Sequence, residues 1–275
     1  MDTSIRAGIA GVLLCFAIGM GSSAALAAGA GTAKGVDPQA DAQTGTETRI
    51  LNVGADVFIG DRIITGPEGQ VQIKFADETE LVVGPRSSLM IEDYLLREDQ
   101  SAGKFVINAL NGTFRFATGV SPKDRYVIKT PTGTIGVRGT AFDLTVEGPG
   151  NGDEDGKTQL LLFHGAVLMC NLEGKCVTVD DTCEIGEYDL SDSIVLGDAQ
   201  EMDDETRATL RERFQYADSQ WPLLREFWVD RARDCLMETG NIGLFPSLAP
   251  PSEGSNENPP PDTGGDSCDE YPYCN

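Results

Sequence analysis

The run from Tyr126 to Val146, YVIKTPTGTIGVRGTAFDLTV, leaves its chain few ways to fold. Tyr126, Ile128 and Thr130 alternate with Val127 and Lys129, a period of two that sends one set to each face of an extended strand. Pro131 and Gly133 break the ladder. Ile135 and Val137 resume it, and Phe142, Leu144 and Val146 then alternate with Asp143 and Thr145. The run reads as two short strands around a corner punctuated by Gly136 and Gly139, where glycine permits positive φ or close backbone packing. Arg138 stands in that corner among apolar residues. It must be paired or reach water, because burying a bare guanidinium is costly. Two readings are open: an anchor that donates to backbone carbonyls from its five-donor fork, or a site for an anionic ligand.

The same period recurs on both sides. Val71, Ile73 and Phe75 alternate with Gln72 and Lys74. Short apolar runs at Ile63-Ile64, Leu81 to Val83 and Leu89 to Ile91 are divided by Gly60-Asp61, Thr65 to Gly69, Asp77 to Thr79 and Gly84-Pro85, all turn signals. Asn111-Gly112, between Phe105 to Leu110 and Thr113 to Ala117, predicts a type I′ hairpin with Phe114 and Phe116 facing the core. Thr158 to Met169 is a further strand run. Short strands with a turn at each corner predict an all-β sandwich, barrel or coil. Weak similarity from turn to turn favours a solenoid-like roll, each coil burying its apolar side chains on the next. A β-sandwich is the alternative.

The flanks read differently. Residues 1–27 have the pattern of a secretory signal peptide: Arg6, an apolar stretch from Ile9 to Met20, and Ala25-Leu26-Ala27 as cleavage site. An uncleaved anchor is the alternative, and the only route by which the sequence points to a membrane. Residues 28–48, rich in Ala, Gly, Thr and Asp, predict a flexible linker, and 49–198 the β domain. Residues 199–246 predict a helical segment. Asp203 or Asp204 caps a helix from Glu205, and Leu210, Phe214 and Ala217 share a face. Pro222 ends it and begins a second helix, whose Leu224, Phe227, Trp228 and Cys235 pack on the β domain. Residues 247–275 are a Pro- and Gly-rich acidic tail.

Export makes the cysteines informative. Beyond Cys15, within the signal, stand Cys170, Cys176, Cys183, Cys235, Cys268 and Cys274. An even number in an exported chain implies disulfides, and several pairings are open. Local pairing joins Cys170 to Cys176 across the NLEGK turn and Cys268 to Cys274 in the tail. It leaves Cys183 for Cys235, a staple between β domain and helices. Zinc is disfavoured, because there is no CxxC and His164 is the one histidine.

The run TPTGTIGVRGTAFDL resembles the signature of the FecR domain, an extracytoplasmic β module. Upstream, GDRIITGPEGQVQIKFADETELVVGPRSSLMI resembles that family's repeated strand-turn units, and LLLFHGAVLMC its closing strand. The resemblance spans Val53 to Tyr188, about half the chain. It implies a β-solenoid-like, non-enzymatic module that contacts another protein or an envelope polymer. The family's best-known members regulate sigma factors for iron uptake, with a cytoplasmic region, one membrane helix and a periplasmic part. This sequence has no cytoplasmic region ahead of its apolar segment and no internal span, so direct control of a sigma factor is not expected.

The charge is 21 basic against 44 acidic residues, net −23. That balance argues against nucleic acid, which needs a basic footprint, and against anionic lipid. No nucleophile or acid–base pair has a partner in any motif, and His164 lies on a strand without one. Asn151, Asp153 and Asp155 match the first half of a calcium loop, but its twelfth position is Leu162 rather than a closing glutamate. Gly133, Gly136 and Gly139 form no nucleotide loop. Arg138, with Thr130 and Thr140 beside the corner, is the candidate binding surface. The expectation is a periplasmic or secreted, non-enzymatic binding or scaffold module, without a cofactor, that touches an envelope protein or cell-wall polymer. A secreted carbohydrate-active enzyme and a calcium-stabilised surface protein are the alternatives.

Overall fold

The structure is a computed structural model that describes residues 29–97, 102–122, 125–148 and 156–237. It is mainly β. In chain order the strands are β1 Gly31–Asp37, β2 Ala40–Thr44, β3 Glu47–Leu51, β4 Asp56–Val57, β5 Arg62–Thr65, β6 Gln70–Phe75, β7 Glu80–Val83 and β8 Ser88–Leu96. They continue as β9 Ala102–Ala117, β10 Tyr126–Thr130, β11 Gly133–Glu147, β12 Lys157–Asn171, β13 Cys176–Val179, β14 Glu184–Tyr188 and β15 Ser193–Asp198. Two short helices follow, α1 Asp204–Arg213 and α2 Gln215–Asp218. The strands form one large, open, mixed sheet.

The solenoid-like roll is not the arrangement of these pairings. A solenoid stacks parallel coils, whereas here β10 runs parallel to β9 and the other described pairings are antiparallel. Bent strands, not coils, fold the sheet over its core. β9 runs unbroken through Asn111-Gly112, where a hairpin is predicted. Gly112 has φ +114, which bends the strand without reversing it, and a Cβ there would lie 2.1 Å from Ser87 Oγ. One part of β9 pairs with β8 and β10, the other with β7 and β11. β11 does the same: Gly133 to Val137 pair with β10, Ala141 to Val146 with β9, and β12 follows along the length.

Alternation fixes what each face buries. Phe75, Tyr94, Phe105, Phe116, Tyr126 and Phe142 meet inside the folded sheet, with neighbouring ring centroids 4.7–5.9 Å apart. Such pairs contribute about 0.5–1.5 kcal/mol each beyond their buried area. The residues between them point the other way. On that outer face Val82, Arg115, Asp143, Leu161, Phe163 and Ile185 are also buried, because the C-terminal segment covers them.

The 28–48 segment is not a linker. β1 zips along β6 from Gly31 opposite Phe75 to Asp37 opposite Gln70, and β2 pairs with β3 and β5. Ala33, Ala40 and Ala42 are fully buried. Small side chains lower the hydrophobicity of the stretch while letting backbones close up. A Cβ on Gly31 would stand 2.8 Å from Lys74 O.

In the C-terminal segment Asp203 caps α1, accepting from Thr206 N at 2.9 Å, with Arg211 and Arg213 set against the negative end of the helix dipole. Pro222 begins no second α-helix. The backbone around it is held by the sheet: Gln70 Nε2 donates to Pro222 O and Leu224 N donates to Gln72 Oε1. Among the described residues only 3₁₀ turns follow, Arg225–Phe227 and Ala232–Cys235. Among the described residues no helix is long and apolar enough to cross a membrane.

Candidate functional site

Tyr126 to Thr130 and Gly133 to Val137 form a tight hairpin, β10 to β11. A hydroxyl cluster locks its turn. Thr130 Oγ1 lies 2.9 Å from Tyr188 OH and 3.2 Å from Thr158 Oγ1, accepts from Gly133 N, and Thr132 Oγ1 meets Thr158 Oγ1 at 3.0 Å. Burial pushes the Tyr188 phenol up to about 12, its bonds to the threonines opposing the shift. Thr130 is therefore a buried structural residue, not part of a surface. Thr140 is fully buried too, and its Oγ1 has no partner among the described residues.

The corner beyond them is a bulge. Gly139 has φ +65, and the β11–β12 register shifts between Arg138 and Ala141 opposite Gly165, whose φ is +90. A Cβ on Gly165 would approach Gly139 O to 2.2 Å, so the two strands pass too closely for any other residue there. Arg138 is not the carbonyl anchor that one sequence reading offered. It is exposed, with no hydrogen bond or ion pair among the described residues.

Arg138 lies on the part of the outer face that the C-terminal segment leaves bare. Ile135, Val137, Val167 and Met169 turn into the core, so Thr134, Arg138 and Leu168 turn out and are exposed, as is Thr178 on β13. A Cβ on Gly136 would meet nothing nearer than Leu168 O at 3.9 Å, which leaves the middle of this face flat and open. At its β10 side Lys129 pairs with Glu92 at 2.5 Å.

Where the face is covered, the sheet carries a buried ion pair that sequence reasoning missed. Arg115 Nε and Nη2 donate to Asp143 Oδ1 and Oδ2 at 2.6 and 3.0 Å, and Nη1 donates to Gln220 Oε1. Gln220 in turn holds Val229 through both its amide atoms, at 2.7 and 3.0 Å. The guanidinium lies 5.2 Å from the Phe163 ring centre and 5.9 Å from that of Tyr216. Burial raises the Asp143 carboxyl above its ordinary range, against the opposing pull of Arg115. The available signal was a single charge in each of two apolar alternations, Phe114-Arg115-Phe116 and Phe142-Asp143-Leu144. A second buried carboxylate, Asp77, accepts from Ser121 Oγ at 2.7 Å, Tyr126 OH at 2.8 Å and Thr79 Oγ1 at 2.9 Å. Burial, then the nearby Asp77 charge, pushes the Tyr94 phenol upward.

Cys170 is bonded to Cys176 and Cys183 to Cys235. Both bonds fit an oxidising, extracytoplasmic compartment. Cys268 and Cys274, the calcium-loop residues Asn151, Asp153 and Asp155, and the expected signal peptide lie outside the described residues. His164 is exposed on β12. A cleft of about 380 Å³ is lined by Lys34, Asp56, Lys74, Glu78 and Glu226 among others. Its Lys74 lies 2.8 Å from Glu78 and 3.6 Å from Glu226.

No curated protein matches the chain. Among solved structures it is similar to a candidate anti-sigma factor from Parabacteroides distasonis ATCC 8503. The structure of that protein at 1.65 Å matches with 13% identity and a TM-score of 0.38, and the one at 2.50 Å with 14% and 0.37. Each match covers 49% of this chain and 57% of the other, so this chain spans little more than half the length of that protein. The model of one family, described as FecR protein, matches residues 61–168, from the end of the β4–β5 turn to the middle of β12. Residues 61–168 of this chain are a FecR domain.

Proposed function

We propose that this chain is a non-enzymatic binding module of the periplasm or exterior, whose FecR domain contacts an envelope protein or cell-wall polymer through the bare outer face around Arg138. One observation carries the reading. The same sheet is sealed on its outer side over Arg115 and Asp143 but left flat and open over Thr134, Gly136, Arg138 and Leu168. An exposed arginine with no partner among the described residues is the kind of residue that interfaces favour, and the exposed Leu168 beside it adds apolar area to the same face. The guanidinium fork of Arg138 makes a single carboxylate or phosphate group on the partner its match, against the long-range repulsion of a chain of net charge −23, and signalling through that contact suits a domain that recognises without transforming.

The test is site-specific photocrosslinking in intact cells. A photoreactive residue at Thr134 or Leu168 captures one discrete partner, and Arg138→Glu weakens the adduct at least tenfold. A reactive residue at Glu212 on α1 captures nothing comparable. Equal labelling at all positions, or none at Thr134 and Leu168, refutes the assignment. A carbohydrate-active enzyme would need two carboxylates facing each other across a groove. In the described cleft Glu78 and Glu226 instead share Lys74.

A further inference from the structure

β15 ends the sheet. Among the described residues it pairs with β14 alone, and its start is tied to the segment before β13, where Ser193 Oγ donates to Lys175 O. In an antiparallel pair, residues alternate between exchanging backbone bonds with their partner and turning them outward. Asp189 N donates to Asp192 O across the β14–β15 turn, and Ala199 N donates to Cys183 O at the far end. With Glu187 opposite Ile194 and Gly186 opposite Val195, the turn-side bond sets the phase: Ile194 falls in the bonded position, and the alternation, carried one residue on, turns the Val195 N–H and C=O toward the other edge, just before the register shifts and leaves Leu196 as an extra residue opposite Gly186.

The side chains there are also unusual for an edge. Ile194, Val195 and Leu196 follow one another and are 39%, 36% and 41% exposed. Edge strands are ordinarily blunted by charge, proline, a bulge or cover, because a bare apolar edge is a template for another strand; β15 has the bulge, where its register with β14 shifts after Val195, but no charge or proline in its centre. Here the charges stand at the two ends of β15 instead, Asp192 and Asp198, with the β14–β15 turn held by Asp189, which accepts from Ser191 N and Asp192 N. A second copy of the chain is a poor occupant. Antiparallel pairing of two β15 strands about Val195 sets Asp192 of each against Asp198 of the other, between molecules of net charge −23.

We propose that β15 is a docking edge that takes an extended polypeptide segment by strand addition, one with an apolar centre and lysine or arginine at both ends. Main-chain bonds to Val195 supply affinity, and the acidic ends of β15 select the partner's charge. This site is separate from the Arg138 face and stands or falls without it.

The probe is a labelled peptide of alternating valine and threonine with a lysine pair at each end, compared with the same peptide carrying glutamate pairs. By fluorescence anisotropy the lysine peptide binds the full chain at least tenfold more tightly, and added salt weakens it. Val195→Pro removes the outward donor without costing a bond to β14, and binding falls at least tenfold. Asp192→Asn with Asp198→Asn keeps the side-chain oxygens that accept from Ser193 N and Gln200 N, so the edge stays intact, and removing the two charges abolishes the preference between the peptides. That pair carries the test even if the proline variant does not fold. Equal affinity of the unaltered chain for the two peptides, no binding of either, or a chain dimer abolished by Val195→Pro would each overturn the proposal.

Discussion

Replacing Asp143 with leucine tests whether the Arg115–Asp143 pair closes the outer layer. Arg115 is 2% exposed and Asp143 0%. The substitution removes both charge-assisted bonds, at 2.6 and 3.0 Å, and leaves the guanidinium with Gln220 alone among hydrogen-bond acceptors. Bonds to charged groups are worth about 1.5–3 kcal/mol each, and breaking a buried pair from one side costs about 3–5 kcal/mol. With a urea m-value of about 2.5 kcal/mol/M, the unfolding midpoint falls by about 1–2 M. Replacing both partners, Arg115→Met with Asp143→Leu, removes the charge along with its partner. Gln220 keeps its bonds to Val229, so the double variant recovers most of the loss. Urea unfolding followed by circular dichroism, with the disulfides kept oxidised, gives both numbers. A single variant losing less than about 1 kcal/mol, or a double variant as unstable as the single, would show that the pair does not hold the layer.

Three further outcomes are expected. Gly112→Ala forces a Cβ to 2.5 Å from Ser87 Cα at φ +114, so calorimetry should record a loss of about 2–4 kcal/mol from overpacking and strain together. Removing the Cys183–Cys235 bond, with a separation of 52 residues, costs about 4 kcal/mol by loop entropy, against about 2.2 kcal/mol for Cys170–Cys176 with a separation of 6; paired Cys→Ala variants in urea should rank in that order. Tyr188 titrates near 12 in the fold and near 10 when unfolded, so the unfolded chain releases this proton first. Its contribution, fully present below pH 10, is lost as pH rises toward 12, by up to about 2.7 kcal/mol. Tyr188→Phe should flatten the alkaline limb of a stability–pH curve without abolishing it, since Tyr94, Tyr126 and Tyr216 shift the same way.

What could be read from the sequence was whatever depends on neighbours. The alternation at Val71, Ile73 and Phe75 and at Phe142, Leu144 and Val146 predicts strands and their inward face, and Asp203 is a cap in both readings. Register and strand partner depend on distant residues. Asn111-Gly112 carries the chemistry of a turn, yet Gly112 uses its positive φ only to bend a strand that neighbours hold on both sides. Ala33 and Ala42 are too small to signal burial, and become core because β6, β3 and β5 close on them. Arg138 looked confined because its sequence neighbours are apolar, but those neighbours turn inward and leave it outside. Thr130 looked available and is sealed by Tyr188, 58 residues on.

The covering of the outer face also sets an order of assembly. Gln70 is met by Pro222, and Gln72 by Leu224, each 152 residues later. Cys183 waits 52 residues for Cys235. A chain growing from its N-terminus can therefore complete its ladder while Leu161, Phe163 and the Cys183 thiol still face solvent. During that interval Cys170 and Cys176 are the nearest thiols along the chain, and a premature bond to either would deny Cys235 its partner.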